Sequence, residues 1–319
     1  MGRTGWLLIG GGAFLFLLFA PLFLRGYWLR LLTNMFMFGI LAESVNIIAG
    51  YCGYLALGNM LFFGLGAYIV AVLMAKFAFS FTLALILAGL GASLFSAIVG
   101  LPILRLKGQY FLMGTMGLLE LLREITTNIP LTGGGQGITL PIFPGGAAAA
   151  NHFFYYFMFA LMVISIACTF YISKSKLGYA FRAIKFDEDT ASVMGINPIP
   201  YKTLAWAISA FFTGMAGAAY AYWMSYIDPG EAYQITPSIK MYLMMVLGGG
   251  GTVIGPIVGA FFIEFISELV WGTFLELHFL ILGLILVLVV IFMPKGFMDL
   301  LRKGISFSKL MAGVKENRV

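Results

Sequence analysis

Residues 174–200 read KSKLGYAFRAIKFDEDTASVMGINPIP, a long polar stretch in the middle of an apolar chain. The stretch holds seven of the 32 charged residues of the protein, which has 19 Lys and Arg and 13 Asp and Glu. Long hydrophobic runs lie on both sides of it. A polar segment between two such runs is expected to leave the apolar environment as a loop, and its helix-like patterning predicts that this loop has a function.

The composition is that of an integral membrane protein. Of the 319 residues, 61% are hydrophobic and 10% are charged, and the mean hydropathy is +0.99; soluble domains typically carry about 25% charged residues. Cys52 and Cys168 lie in or beside apolar runs and are interpreted as buried thiols. Because the only histidines, His152 and His278, lie at the edges of predicted spans, we expect no metal centre, no cofactor and no catalytic residues.

Hydrophobic stretches of about 20 residues are candidates for crossing the bilayer. The region 238–271 is too long for one span and is divided by Gly248 to Gly251, which predicts one helix near 238–247 and another near 253–271. The other candidates lie near 6–24, 28–48, 54–75, 79–101, 108–127, 152–173, 202–223 and 276–293. The sequence therefore predicts an all-α integral membrane protein with about ten transmembrane helices.

The orientation follows from the basic residues, which favour cytoplasmic loops. With the amino terminus inside, fourteen Lys and Arg lie in inner segments. The five that lie outside or near the outer ends of spans are Arg25, Arg30, Lys76, Arg123 and Lys240. This asymmetry places the 174–200 loop, the tail at 294–319 and both termini in the cytoplasm. It also accounts for the net charge of +6 without a nucleic-acid partner.

Glycines cluster at the predicted helix breaks in both halves of the chain. Gly255 and Gly259 have the GxxxG spacing that lets helix backbones approach closely. Broken helices in two halves are typical of transporters built from repeats, and GYLALGNMLFFGLGAY (53–68) is similar to GTVIGPIVGAFF (251–262). We interpret this similarity as an internal repeat; tight helix packing is the alternative explanation of the glycines.

Ionisable side chains inside spans are costly and usually face a bundle interior or a water-filled path. Glu120, Arg123 and Glu124 share one helix face and can neutralise one another. Glu264 and Glu268 are like charges four residues apart, and we expect Arg123 to join them. Ion pairs that only fix helix register are the alternative. The residues predicted to line a translocation path or form an intramembrane polar network are Glu43, Asn46, Asn59, Glu120, Arg123, Glu264 and Glu268.

An apolar stripe within the polar loop recurs at helical spacing. It consists of Leu177, Phe181, Ile184, Ala191 and Met194. Glu188 falls inside the stripe, and Gly195 is a natural end of the helix before Asn197-Pro198. Three interpretations compete: a helix on the lipid surface, a solvated linker, and a helix docked in a groove of a soluble partner. The mixed polar face disfavours the first, the stripe and the stop disfavour the second, and we therefore expect docking.

The same residues resemble a known family. GYAFRAIKFDEDTASVMGINPIPYKTLAWAISAFFTGMAGAAYA (178–221) resembles the cytoplasmic coupling loop and following helix of the permease subunits of branched-chain amino-acid ABC importers, in particular the M-type subunit. NIIAGYCGYLALGNMLFFGLGAY (46–68), LRLKGQYFLMGTMGLLELLREITTNIPLTGGGQGI (104–138) and PSIKMYLMMVLGGGGTVIGPIVGA (237–260) are similar to further blocks of that family, in the same order. The chain departs from the family at Asn59, where His is common, and in GGGQGI (133–138), where GGPNGI is usual.

The resemblance implies a single transmembrane permease domain over 1–319 that couples ATP hydrolysis by partner subunits to alternating access for Leu, Ile and Val. It also implies a second homologous permease, two ATP-binding subunits and an extracytoplasmic solute-binding protein, all at the bacterial inner membrane. The expected coupling residues are Gly178, Arg182, Ala183, Glu188, Gly195 and Asn197. The chain itself is not expected to be an enzyme: LTGGGQ (131–136) resembles an ATPase signature, yet no phosphate-binding loop motif accompanies it.

Two alternatives remain at this stage. Related importers carry urea, short amides or other small polar solutes, so the same type of permease is compatible with a different solute. A secondary transporter driven by an ion gradient, with Glu43 or Glu120 as the proton carrier, is the alternative from a different class. Uptake by this chain alone under a proton gradient would favour the secondary transporter, and strict dependence on ATP and added subunits would favour the importer.

Overall fold

The computed structural model describes residues 12, 15–24, 26–273 and 283. The span expected at 276–293, apart from residue 283, the first part of the span expected at 6–24 and the tail at 294–319 therefore lie outside the described residues. Most described residues are helical, as predicted. The only strands of the described ranges are β1 (Ile138–Thr139) and β2 (Tyr226–Ile227), which pair antiparallel with Ile138 opposite Ile227.

The described helices follow one another along the chain with short connections. They are α1 (15–23), α2 (Tyr27–Val45), α3 (Met60–Ala75), α4 (Phe81–Ile103), α5 (Gln109–Asn128), α6 (Gly146–Lys174), α7 (Lys176–Phe186), α8 (Glu188–Val193), α9 (Pro198–Met224), α10 (Pro229–Ala232), α11 (Ile235–Gly248) and α12 (Gly255–Thr273).

In the described ranges, five helices are long and apolar enough to cross a membrane. They are Tyr27–Tyr51, Leu57–Ala75, Phe81–Ile103, Gly146–Lys174 and Pro198–Met224. Helix α5 is long enough but carries Glu120, Arg123 and Glu124 close together, and α11 has only 14 residues. The outward side chains of α4 are apolar, with Leu90, Leu94 and Ile98 all exposed, as expected for a helix that faces lipid.

Two broken segments lie against each other inside the bundle. Helix α2 continues into a π-helical turn, Asn46–Tyr51, and then into irregular backbone before α3. The second break is the predicted glycine turn between α11 and α12, where Gly249 and Gly251 have φ of 113° and 82°. The Asn46 side chain joins the breaks: the Gly251 N–H donates to its Oδ1 at 2.7 Å, and its Nδ2 donates to the Thr252 carbonyl at 2.8 Å.

Small residues let the central helices approach closely, as the glycine pattern predicts. A Cβ atom on Gly66 of α3 would overlap the backbone of Gly214 on α9, and one on Gly217 would overlap Phe63. On α12, a Cβ on Gly259 would overlap the Met244 carbonyl of α11. Backbone contacts of this kind hold helices together where lipid removes most of the hydrophobic driving force.

Candidate functional site: the polar loop and the broken helices

The polar loop (residues 174–200) forms two helices rather than the single short helix that its stripe suggested. Asp187 separates α7 from α8 and caps α8, since its carboxylate accepts the backbone N–H groups of Asp189 at 3.2 Å and Thr190 at 3.3 Å. The Thr190 hydroxyl also donates to it. These bonds favour the charged form, led by the Thr190 hydroxyl, and lower the pKa of Asp187 below its usual value. Gly195, with φ of 88°, ends the pair of helices as predicted.

The apolar stripe of the loop faces the membrane helices, which corrects the expectation that it docks onto a partner. Phe181, Ile184 and Ala191 are buried in the core of this chain. Met194, predicted to belong to the stripe, is instead 78% exposed. The stripe therefore anchors the loop to the bundle, and the opposite face is the one left open.

Glu188 lies at the centre of a buried polar cluster under the loop. The ammonium group of Lys202, on the second turn of α9, lies 2.7 Å from a Glu188 oxygen, and its side chain is only 1% exposed. Lys202 also donates to the Leu104 carbonyl at 2.8 Å and to the Tyr54 hydroxyl at 3.0 Å. The Tyr54 hydroxyl in turn donates to the second Glu188 oxygen. Burial, together with the bond to Glu188, raises the pKa of the Tyr54 phenol, so this phenol remains a proton donor.

A second contact ties the loop to the broken segment after α2. The Lys185 ammonium donates to the Gly50 carbonyl at 2.6 Å, in the π-helical turn. The side chain of Lys185 also crosses over Gly53, where a Cβ atom would lie 2.9 Å from its Cγ. At the surface, Lys107 pairs with Asp189 at 3.0 Å, and both side chains are largely exposed. The loop therefore contacts the first break directly, through Lys185 at Gly50 and through Glu188 at Tyr54.

The other predicted coupling residues shape the loop itself. Arg182 donates from Nε to the Gly178 carbonyl at 3.0 Å and from Nη2 to the Ser173 carbonyl at 2.7 Å, so its bonds hold the corner between α6 and α7. Gly178 is buried where a Cβ would overlap the Ile172 carbonyl. Asn197 caps α9 by accepting the Ile199 N–H at 3.3 Å, and Ala183 is partly buried. Arg182, expected from the sequence to couple the loop to a partner, therefore forms these hydrogen bonds within its own chain.

A cavity of about 390 Å³ lies between the polar loop and the first break. Gly53, Tyr54, Lys107, Lys185 and Glu188 are among the residues that line it. Cys52 also contributes, and burial raises the pKa of its thiol to about 12, which keeps the thiol protonated and unreactive.

The predicted polar residues of the spans have different surroundings. Asn46 and Asn59 are buried and fully engaged: Asn59 accepts from Trp206 Nε1 and donates to Ser209 Oγ, both at 3.0 Å. Glu43 is buried beside Thr169 and Asn46, but neither carboxylate oxygen receives a hydrogen bond of normal geometry from the described residues. These three side chains lie in the core of the subunit, away from its surface.

Helix α5 carries its charges on an exposed face. Arg123 pairs with Glu120 at 2.9 Å, as predicted from their spacing, and both side chains are about half exposed. They line a shallow cavity of about 410 Å³ together with Tyr233 and Gln234. A charged face on a helix of this bundle requires a neighbour other than lipid.

The predicted partner of Glu264 is corrected by the structure. Glu264 pairs with Lys240 of α11 at 2.5 Å and accepts from Asn34 Nδ2 of α2 at 2.7 Å. Glu268 accepts from the Tyr27 hydroxyl. Arg123 instead pairs with Glu120 on its own helix, because α11, rather than α5, brings a cation beside α12.

Sequence reasoning missed the partners that complete these clusters, namely Lys202, Tyr54, Lys185, Lys240 and Asn34. Lys202 and Lys240 had been used only as markers of orientation. A lysine a few residues inside an apolar helix is itself a signal, since it requires a buried acceptor. Tyr54 and Asn34 carry no comparable signal in the sequence.

Comparison with known proteins gives consistent matches. The model of a family described as "Branched-chain amino acid transport system / permease component" matches residues 27–290. The chain is 29% identical to the "High-affinity branched-chain amino acid transport system permease protein LivM" of Salmonella typhimurium over 290 residues, which cover 82% of this chain and 68% of that protein.

Two shorter matches involve other permeases. The chain is 29% identical to the "High-affinity branched-chain amino acid transport system permease protein LivH" of Escherichia coli over 133 residues, 41% of this chain and 42% of that one. It is 27% identical to the "Autoinducer 2 import system permease protein LsrC" of Photorhabdus laumondii over 112 residues, 34% of each. No solved structure matches the chain.

Proposed function

The chain belongs to the family of branched-chain amino acid transport system permease components, and from this premise we propose that it is the membrane-spanning permease subunit of an ATP-driven importer for branched-chain amino acids. Hydrolysis of ATP belongs to partner subunits in this proposal. The partners are a second, homologous permease, two ATP-binding subunits and an extracytoplasmic solute-binding protein.

The observation that carries the proposal is the two-sided polar loop. One side is joined to the first break through Lys185, which donates to the Gly50 carbonyl, and through Glu188, which accepts from the Tyr54 hydroxyl. The other side exposes large apolar side chains, with Phe186 at 92%, Val193 at 89% and Met194 at 78% exposure. Apolar side chains left this open beside charged residues are typical of a surface for a protein partner. The loop is therefore suited to transmit movement of an ATP-binding subunit to the breaks in the spans.

The mechanism follows from these contacts. An ATP-binding subunit that moves the exposed face of α7 and α8 also pulls on Gly50 through Lys185 and on Tyr54 through Glu188. Since Asn46 ties the first break to the glycine turn at Gly251, both breaks shift together. A rigid-body change of this type can switch a bundle between outward-open and inward-open states.

The charged face of α5 is the proposed wall of the solute path. Glu120 and Arg123 are exposed in the second half of α5, where contact of a charged side chain with lipid is costly. A path formed between this face and the second permease keeps both charges hydrated. Glu43, Asn46 and Asn59 then stabilise the subunit from within, and Glu264 with Glu268 forms a network with α2 and α11.

The number of spans and their orientation in the membrane are further parts of this proposal. The five described apolar helices and the family indicate a multi-pass inner-membrane protein. We propose about ten spans in a single permease domain, related in part by an internal repeat, with the 174–200 loop, the 294–319 tail and both termini in the cytoplasm. The excess of Lys and Arg in those segments supports this orientation.

The proposal is tested on the exposed face of the loop. In the complex reconstituted into liposomes with its partner subunits, Phe186→Asp is expected to lower ATP-dependent leucine uptake at least tenfold, because it puts a charge into an apolar interface. Val193→Asp is expected to act in the same direction. Uptake of radiolabelled leucine and solute-stimulated ATP hydrolysis are measured together.

Phe77→Asp is the matched control. Phe77 is likewise an exposed phenylalanine between two spans, at 58% exposure, but it follows the end of α3 that lies away from the first break. Wild-type uptake by Phe186→Asp would contradict the assignment of the docking face. Uptake by this chain alone under a proton gradient would contradict the importer. Competition by isoleucine and valine, but not by urea or short amides, is expected.

A further inference from the structure

A cavity of about 760 Å³ opens at the end of the bundle opposite the polar loop. It lies between the beginnings of α2 and α6, the end of α9 and the last described turns of α12. Most of its wall is apolar and includes Leu31, Phe143 and Trp223. The predicted orientation places this end at the outer surface of the membrane.

Two opposite charges line this cavity. Arg30 of α2 donates from Nε to Asn151 Oδ1 at 3.4 Å, and Glu268 of α12 accepts from the Tyr27 hydroxyl at one of its oxygens. Within the described ranges, neither Arg30 nor Glu268 takes part in an ion pair. No described residue bonds to the terminal nitrogens of Arg30 or to the second oxygen of Glu268, and we assign these atoms to a ligand.

The two charges and the apolar residues of the cavity wall are suited to a zwitterionic ligand that also has an apolar part. A guanidinium group binds phosphate or carboxylate through paired N–H donors, and a carboxylate accepts from an ammonium group. The surroundings of the cavity indicate that this zwitterion is a membrane lipid. Tyr27 and Trp28 are exposed at the same end of the bundle, as aromatic residues are at the membrane interface, and Ile142 is 82% exposed at the cavity.

We propose that this cavity binds a zwitterionic phospholipid with a primary amine, phosphatidylethanolamine. The phosphate lies on the Arg30 guanidinium, the ammonium group donates to Glu268, and an acyl chain lies along Leu31, Phe143 and Trp223. The lipid joins α2, α6 and α12 at their outer ends. This assignment does not depend on which solute the permease carries.

The test is lipid retention by the complete importer complex. The complex is purified from nanodiscs that contain equal amounts of phosphatidylethanolamine, phosphatidylcholine and phosphatidylglycerol, and bound lipid is identified by native mass spectrometry. We expect enrichment of phosphatidylethanolamine. Arg30→Gln and Glu268→Gln are each expected to lower it at least fivefold, and Arg30→Lys is expected to retain part of it. Lys76→Gln and Glu231→Gln, which alter exposed charges outside the cavity, are expected to leave it unchanged.

Each other outcome overturns the proposal. Equal retention of all three lipids would show that the ammonium group is not recognised, and wild-type retention by both cavity variants would place the lipid elsewhere. Displacement of the lipid by millimolar leucine, absent in both cavity variants, would assign the cavity to a free amino acid instead. The mass of the assembled complex in the same spectra shows whether each variant has folded.

Discussion

Lys202 is the residue that ties α9 to the polar loop and to the first break. Its ammonium group is withdrawn from water and stabilised by the Glu188 carboxylate, the Leu104 carbonyl and the Tyr54 hydroxyl. It also lies 4.4 Å from the centre of the Tyr54 ring, a cation–π contact. Burial of an ion pair is costly unless its remaining donors and acceptors are satisfied, and here the acceptors come from three different segments.

Removal of one charge from this pair is expected to destabilise the protein more than removal of both. Lys202→Met leaves the Glu188 carboxylate without its cation, and we expect a loss of about 3 kcal/mol in the free energy of unfolding. Lys202→Met combined with Glu188→Leu is expected to recover most of this loss, because no uncompensated charge remains. Unfolding by denaturant in detergent micelles measures both.

The exposed pair Lys107–Asp189 is the matched control, since its side chains are 62% and 83% exposed. Lys107→Met is expected to cost less than about 1 kcal/mol, as is usual for surface ion pairs. A loss as large as that of Lys202→Met would refute the importance given to burial.

At the level of elements, the junction between α7 and α8 determines which side chains the loop exposes. Asp187 has an extended backbone after Phe186 and begins α8 as a separate helix. As a result Phe186 and Val193 point outward while Ala191 stays buried. A continuous helix would have placed its apolar side chains along one stripe.

Asp187→Ala is expected to loosen α8 without affecting α7. Loss of an N-cap carboxylate typically speeds opening of the capped turn by about fivefold, so faster hydrogen exchange is expected at the amides of 189–191. Because folding lowers the pKa of Asp187, its stabilising effect is complete above the ordinary Asp range near pH 4 and is lost as the pH falls through the lowered pKa.

Asp189→Ala keeps the cap and is expected to change exchange in α8 less than twofold. Equal effects of the two variants would indicate that α8 is stabilised by negative charge near its first turn rather than by the cap hydrogen bonds of Asp187.

The polar loop illustrates how far the sequence predicts this site. Its position, its helical spacing and its end at Gly195 follow from patterns that act locally. The surface that the stripe contacts cannot be predicted in this way. An apolar stripe indicates that it is covered, but a partner protein and the rest of the same chain would give the same pattern. The break at Asp187 was missed since the helical spacing of Phe181, Ile184 and Ala191 continues across it. Glu188 inside the stripe was the available clue, and its partner Lys202 lies beyond the loop.

On the scale of the whole molecule, the outer surface of the bundle has two different faces. Helix α4 presents an apolar face suited to lipid, whereas α5 presents Glu120, Arg123 and Glu124. The sequence alone predicts these charges and their pairing at helical spacing. It does not predict that they remain exposed, because exposure depends on where α5 lies relative to helices distant in the chain.

Gly117→Trp tests whether the α5 face lines the solute path. Apart from its chain neighbours and the backbone of its own helix, no heavy atom of the described residues lies within 4 Å of a Cβ atom at Gly117, so this subunit can accommodate the indole. We expect leucine uptake by the reconstituted complex to fall at least tenfold, because the indole fills the space between α5 and the second permease. Assembly of the complex, measured by size-exclusion chromatography, is reported alongside uptake.

Leu94→Trp on α4 is the matched control, since Leu94 is 63% exposed on the face assigned to lipid. It is expected to leave uptake unchanged. Wild-type uptake by Gly117→Trp would place the path elsewhere.

The bond from Gly251 to Asn46 also has a consequence for biogenesis. The two residues are separated by 205 positions in the chain. During synthesis the π-helical turn after α2 enters the membrane long before the glycine turn that satisfies Asn46 has been made. Unpaired polar groups are poorly tolerated in hydrocarbon. Until α11 and α12 have been synthesised, the Asn46 side chain must therefore remain in contact with water or with the insertion machinery. The first half of the subunit completes its packing only after these two helices have been inserted.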